Sequence, residues 1–273
     1  MPRPRHGRRR PTRRCARPRA QVPAALAAAL ALLLTACSSS GVSVGPTTAP
    51  TPSSGTVFDL AVPPATASLR LVDETGRTFT LASLAGKTVV LADFLTLCQE
   101  ICPLTSANLA AVAAAVRTTG LSQDVVVLEV TVDPGRDDVT HLAAYQKLFG
   151  AQPGWSFVTG APADIDALWK SFGVATERRT ITERPAPKDW LTQADLTYDI
   201  DHQDVVIVLG PDGHERWLIN GTPAVREPSA VPSTLQRFLS EDGLANETAP
   251  PDPSWTPVDV EAAITYVTGH RVG

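Results

Sequence analysis

Two cysteines, Cys98 and Cys102, stand four residues apart in Cys98-Gln99-Glu100-Ile101-Cys102-Pro103. That separation puts both sulfurs on one face of a helical turn. Thiols so placed can close a disulfide or grip one soft metal ion. A helix N-terminus would favour the thiolate, because its dipole and free N–H groups face the sulfur. The spacing is not the C-x-x-C of ordinary thiol oxidoreductases. Two thiolates leave a metal under-ligated, so a third donor is sought among the five histidines. His6 lies in an Arg-rich leader, and His270 reads as solvated. His214 follows a Pro-Asp-Gly turn and reads as exposed. His141 lies on a predicted helix, four residues before Tyr145, and reads as a surface or packing residue. His202 differs. It lies in Tyr198-Asp199-Ile200-Asp201-His202, just before a buried strand, and so at the mouth of a sheet, where sites in such folds lie. Thiolates select Cu(I), and imidazole suits copper in either oxidation state. Two cysteines and a histidine make a three-coordinate copper site. A plain structural disulfide beside a loop histidine fits the same spacing equally well.

The elements that must position these residues read as alternating strands and helices. Residues 88–94, Thr-Val-Val-Leu-Ala-Asp-Phe, form a β-branched, apolar run of the kind found in a buried strand. Residues 103–117 are rich in Ala and Leu and predict a helix with Pro103 in its first turn. Further strands are expected at 125–132, 156–159 and 205–209, with a hairpin return over 215–219 after the turn Pro211-Asp212-Gly213. Helices are expected from Asp137 or Asp138 to 149, at 163–172 and at 233–239. The order predicts an α/β fold, a central sheet flanked by helices. Residues 176–198 lack clear periodicity and read as a long functional or mobile loop. Beyond Glu241 a Pro-rich link precedes a short helix opening at Thr256-Pro257 and running to Val267.

Of the 24 Lys and Arg, nine are arginines before residue 20, and no acidic residue precedes Asp59. Without that leader, 15 basic groups face 28 acidic ones, a balance of −13. A body so acidic repels phosphate, which argues against a nucleic-acid binder. The leader continues into an apolar run over residues 24–34, too short for the roughly 20 residues of a membrane span but suited to an export signal. It ends in Leu34-Thr35-Ala36-Cys37, which resembles a bacterial lipobox with Cys37 as the lipidated residue. Arg8-Arg9-Arg10 hints at twin-arginine export without the hydrophobic consensus that should follow. The expected organisation is a lipoprotein signal over 1–36, a Pro/Ser/Thr tether over 37–56, a folded domain over 57–241 and a C-terminal extension over 242–273. Of the four cysteines only Cys98 and Cys102 then fall in the folded part, outside the cytoplasm, where exposed thiol pairs tend to oxidise.

Three separated motifs resemble the Sco/SenC family of cytochrome oxidase assembly proteins. Asp93-Phe94-Leu95-Thr96-Leu97-Cys98-Gln99-Glu100-Ile101-Cys102-Pro103 is similar to its C-x-x-x-C-P element. Val130-Thr131-Val132-Asp133-Pro134-Gly135-Arg136-Asp137 is similar to its T-V-D-P-x-R-D segment, and Asp201-His202 through Pro211-Asp212-Gly213 to its histidine element. Gln99, Gln203 and Gly210 depart from the commoner Pro, Ser and Asp. The resemblance implies a thioredoxin-like fold with one copper ion, Cu(I) or Cu(II), on Cys98, Cys102 and His202. It further implies a bacterial metallochaperone rather than an enzyme, lipid-anchored on the outer face of the cell membrane. Its partners would be cytochrome c oxidase subunit II and another extracytoplasmic copper carrier. Asp201, beside His202, either orients the imidazole or is a solvated loop carboxylate. Asp133 reads as a turn former before Pro134. The same cysteines could instead serve as the redox pair of a thiol–disulfide oxidoreductase acting on subunit II. A peroxiredoxin-like peroxidase fits less well, since Thr96 is two residues before Cys98 rather than three. A lipoprotein with a purely structural disulfide is the remaining alternative.

Overall fold

A computed structural model describes residues 49–273. The expected signal, the lipidation site Cys37 and most of the tether lie outside the described residues. The chain begins with β1 (Thr56–Ala61), α1 (Pro64–Ala67), β2 (Leu71–Asp73), β3 (Thr78–Phe79) and β4 (Thr88–Phe94). Then come α2 (Cys102–Thr118), β5 (Val125–Thr131), α3 (Val139–Phe149), β6 (Trp155–Gly160) and α4 (Pro162–Ser171). β7 (Thr176–Thr180), β8 (Tyr198–His202), β9 (Val205–Leu209), β10 (His214–Asn220) and β11 (Thr222–Pro223) follow. The last elements are α5 (Ser233–Gln236), α6 (Glu241–Thr248), β12 (Ser254–Trp255) and α7 (Pro257–Thr268).

The main sheet runs β1-β10-β9-β4-β5-β6-β2-β3. Its centre, β4, is buried along all seven residues, which is why its sequence reads as an unbroken apolar run rather than an alternating one. β4 pairs in parallel with β5 and β5 with β6, while β9 is antiparallel to β4 and β10 to β9. α2 packs on β5 and against both α3 and α7, and α7 lies over β4 and β9. Two parallel strands joined through a helix, an antiparallel hairpin and a closing helix on the α2 face make a thioredoxin-like fold. Phe94, Tyr145, Trp155 and Phe157 build an aromatic core; the Phe94 and Phe157 rings meet edge-on at 5.2 Å between centroids.

Three segments depart from the sequence expectation. Residues 176–198 are not a bare loop: β7 and β8 pair antiparallel, from Thr176 opposite His202 to Thr180 opposite Tyr198. β7, Thr-Glu-Arg-Arg-Thr, is exposed throughout and so carries no apolar alternation. The helix expected over 233–239 ends at Gln236. Beyond Glu241 the short α6 is unexpected, whereas α7 lies where the helix opening at Thr256-Pro257 is expected, and Trp255, Val260, Ala263 and Ile264 are fully buried. At the other end, Ser54 accepts a 2.8 Å hydrogen bond from Trp217 through its carbonyl, so the last residues of the expected tether lie against the sheet. Among the described residues no helix is long and apolar enough to cross a membrane.

Candidate metal centre

Cys98 lies in the turn between β4 and α2, and Cys102 is the first residue of α2. The N-cap residue of this helix, Ile101, has no side chain able to cap it. The sulfur of Cys98 takes that place, accepting the N–H groups of Glu100 and Cys102 at 3.5 Å each. Both cysteines are free, Cys98 half-buried and Cys102 buried. A hydrogen bond from the Cys102 thiol, working against burial, and the His202 ring together hold Cys98 well below the usual thiol range. Burial, and then donation to Cys98, pushes Cys102 well above it. Of the two, Cys98 is thus the more readily ionised sulfur.

His202 ends β8, and its Nε2 lies 3.6 Å from Cys102 Sγ. Nδ1 is 2.6 Å from Asp93 Oδ2 and 2.6 Å from the Gln203 carbonyl. Both neighbours only accept, so Nδ1 carries a proton, and Nε2 is the nitrogen turned to the sulfurs. Burial opposes the charged ring, but the hydrogen bonds to Asp93 and Cys98 outweigh it and raise His202 well above its usual value. Asp93 is fixed in turn by the Val205 N–H, which donates to Oδ1 at 2.8 Å. The structure thus brings Cys98, Cys102 and His202 together.

Asp201 plays no part at the ring. Successive side chains of a strand point to opposite faces, and Asp201 turns outward to a two-pronged pair with Arg179, 3.1–3.3 Å away. The carboxylate that orients the imidazole is Asp93. Its signal in the sequence was a lone acid inside the apolar run of β4, since a buried carboxylate must have a partner. His141 bridges Asp138 and Asp189 at 3.3 Å each, and His214 lies 2.6 Å from Asp59, so both rings are engaged by carboxylates and not by the cysteines. Asp138, not Asp137, caps α3.

The segment from Thr131 to Asp137 ties the two halves of the site together. Asp137 accepts from the Thr131 and Thr96 hydroxyls, and burial lifts its carboxyl to about 6 against those hydrogen bonds. Thr96 is thereby held by Asp137 rather than facing the sulfur. Asp133 accepts from the Tyr198 hydroxyl at 3.0 Å, so it does more than form a turn. The Arg136 and Arg178 guanidiniums cover the Tyr198 ring at 3.8 and 3.6 Å. Tyr198 opens β8, the strand that ends at His202. Trp190 donates to the Thr96 carbonyl at 2.8 Å and pins the 181–197 connector to the cysteine loop.

Among the described residues no three His, Cys, Asp or Glu donors are already arranged as a metal-binding group. The Cys102 sulfur and the imidazole are in contact. Two ligands held at about 2.0 and 2.3 Å from one ion lie about 3.7 Å apart at a trigonal angle, close to the 3.6 Å between Cys102 Sγ and His202 Nε2. Two soft sulfurs and an imidazole nitrogen suit copper, and the donor set fits that ion.

The sequence model of the SCO1/SenC family matches residues 62–236. The chain belongs to that family. It is 32% identical over 143 residues to "Protein SCO2 homolog, mitochondrial" of Danio rerio, covering 52% of this chain and 47% of the relative. It is 30% identical over 142 residues to "Protein SCO1 homolog 1, mitochondrial" of Arabidopsis thaliana, covering 52% and 38%. The chain thus spans less than half the length of these two curated relatives. Among solved structures, Arabidopsis thaliana ScoI with copper bound is 27% identical with a TM-score of 0.46, covering 56% of this chain and 85% of that one.

Proposed function

We propose that this SCO1/SenC chain carries one copper ion on Cys98, Cys102 and His202 and serves the assembly of cytochrome c oxidase. The ion is cargo: taken from another extracytoplasmic carrier and passed to subunit II, from a lipid anchor at Cys37 on the outer face of the bacterial membrane. The observation that carries this reading is His202 Nε2, 3.6 Å from Cys102 Sγ, on a ring whose other nitrogen is held by Asp93. Membership of the SCO1/SenC family and the likeness to curated SCO1 and SCO2 homologs support it. Cu(I) would lie between the two sulfurs and the ring, with Asp93 keeping the ring's Nδ1 proton in place. Anaerobic titration of reduced protein with Cu(I) should give one ion per chain, and His202→Ala should lose retained copper. Unchanged copper stoichiometry in that variant would overturn the three-ligand site.

One observation favours a second reading, a thiol–disulfide reductase for subunit II cysteines. The more exposed sulfur, Cys98, is the one held below the usual thiol range, and the buried Cys102 the one pushed above it. The Cys98 thiolate would attack a substrate disulfide and expel one substrate thiolate, leaving a mixed disulfide. Cys102, after losing its proton to the departing thiolate, would then attack Cys98 Sγ and release the second substrate thiolate. Here His202→Ala should slow exchange with a model disulfide at neutral pH but leave it measurable and restored at higher pH, whereas a copper centre is lost at any pH, which separates the two readings.

A further inference from the structure

The family match ends at residue 236, yet the chain beyond it returns to the cysteine loop. The Ser240 N–H donates to the Gln99 carbonyl at 2.8 Å, and the Ser240 hydroxyl caps α6 by accepting from the Gly243 N–H at 3.1 Å. Gly243 then lies flat on the loop. A Cβ there would stand 2.4 Å from the Gln99 carbonyl oxygen, 3.1 Å from Leu239 Cδ2 and 3.2 Å from Glu100 Cα. Two of those three atoms are backbone, so no side chain can swing aside to relieve the clash. On its other side Gln99 donates through Nε2 to the Lys188 carbonyl at 3.3 Å. The residue directly after Cys98 is therefore gripped from both directions, by the 181–197 connector and by the first turn of α6.

We propose that this turn is a clamp on the cysteine loop, with Gly243 as its positioning residue, holding Cys98 and Cys102 in the reduced arrangement that accepts the metal. The proposal rests on the reading of Cys98, Cys102 and His202 as the copper site and says what keeps that site open. A disulfide needs its sulfurs about 2.05 Å apart with a twisted Cβ–S–S–Cβ torsion. Closing that bond draws on Cys98 Sγ, which now accepts the Glu100 and Cys102 N–H groups at 3.5 Å each, and the clamp seated on Gln99 and Glu100 resists movement of the loop that carries it. The clamp and the thiol pair are then coupled, and the coupling acts in both directions.

The test uses the reduced soluble protein as Gly243→Ala, as Ser240→Pro, which deletes the donating N–H at a φ of −68° that proline tolerates, and as Leu244→Ala on the exposed side of the same helix. Equilibration with oxidised glutathione moves two electrons and two protons from the cysteines to glutathione, forming the Cys98–Cys102 bond and two reduced glutathione molecules. Both clamp variants should shift this equilibrium at least threefold toward the disulfide. They should also hold Cu(I) at least threefold more weakly against bicinchoninate, with Leu244→Ala matching the wild type in both assays. Folded clamp variants indistinguishable from the wild type in the glutathione equilibrium would overturn the proposal. In the wild type itself, oxidation should change hydrogen–deuterium exchange at the amides of residues 240–243, and unchanged exchange there would equally overturn it. Neither the glutathione nor the exchange readout needs copper, so a wild-type protein that binds no copper would count against the copper reading and not against the clamp.

Discussion

Asp93→Asn isolates the one carboxylate that orients the candidate metal-binding imidazole. Asp93 Oδ1 accepts the Val205 N–H at 2.8 Å, and an asparagine oxygen would keep that bond. The amide NH2 would then face His202 Nδ1, where the structure has Asp93 Oδ2 at 2.6 Å. The Nδ1 proton then faces the amide NH2 and keeps only the Gln203 carbonyl as acceptor, so the ring loses its charge-assisted hold. Metal binding must then fix the ring, with Nε2 toward Cys102, without the carboxylate that positions it. Loss of such a carboxylate partner costs about 10- to 100-fold in metal affinity, or about 1.4–2.7 kcal/mol. Competition of the reduced protein with a Cu(I) chelator under argon measures it directly. Asp201→Asn, on the outward face of the same strand, should leave the affinity unchanged. An Asp93→Asn affinity within twofold of the wild type, or an equal loss in Asp201→Asn, would refute the assignment of the orienting role to Asp93.

Three further outcomes are expected. Glu129 is buried in β5, accepting from Ser106 and Trp155, and burial pushes its carboxyl up to about 8 from 4.5. The folded state therefore holds a proton that the unfolded state has lost, so stability should fall by about 1.4 kcal/mol per pH unit between about pH 5 and 8. Glu129→Gln should remove that slope in urea unfolding, and the same wild-type-to-variant difference at pH 5 and pH 8 would contradict it. Iodoacetamide at pH 6.5 should label Cys98 well before Cys102, because Cys98 is the low-pKa, half-exposed thiol; equal labelling in peptide mass spectra would show the charge to be misplaced. Trp190→Phe removes the donor to the buried Thr96 carbonyl and should cost about 1–3 kcal/mol of stability. An unchanged urea midpoint would show that the connector does not brace the cysteine loop.

The sequence revealed the parts of this molecule whose patterns are physical necessities. β4 and β9 are buried on both faces, so their apolar runs matched the strands to the residue. α3 was marked by an aspartate cap at one end and Gly150 at the other. The Cys98 and Cys102 spacing indicated a shared face because one helical turn imposes it. What stayed hidden depends on contacts that sequence distance does not encode. Asp201 looked like the partner of His202 because it is its neighbour in the chain, yet strand alternation turns the two side chains apart. Asp93 is 109 residues away from the ring it holds. β7 is fully exposed and polar, and α6 is a short helix of low hydrophobicity, so neither carries the periodicity that marks an element. The short α6 matters because its turn touches the cysteine loop, a contact legible only in three dimensions.

The most direct test of the copper centre is X-ray absorption on the reduced protein loaded with one equivalent of Cu(I). The account predicts a first shell of two sulfurs and one imidazole nitrogen, with the nitrogen scattering lost in His202→Ala. A first shell without sulfur, or one whose imidazole contribution survives in that variant, would contradict it.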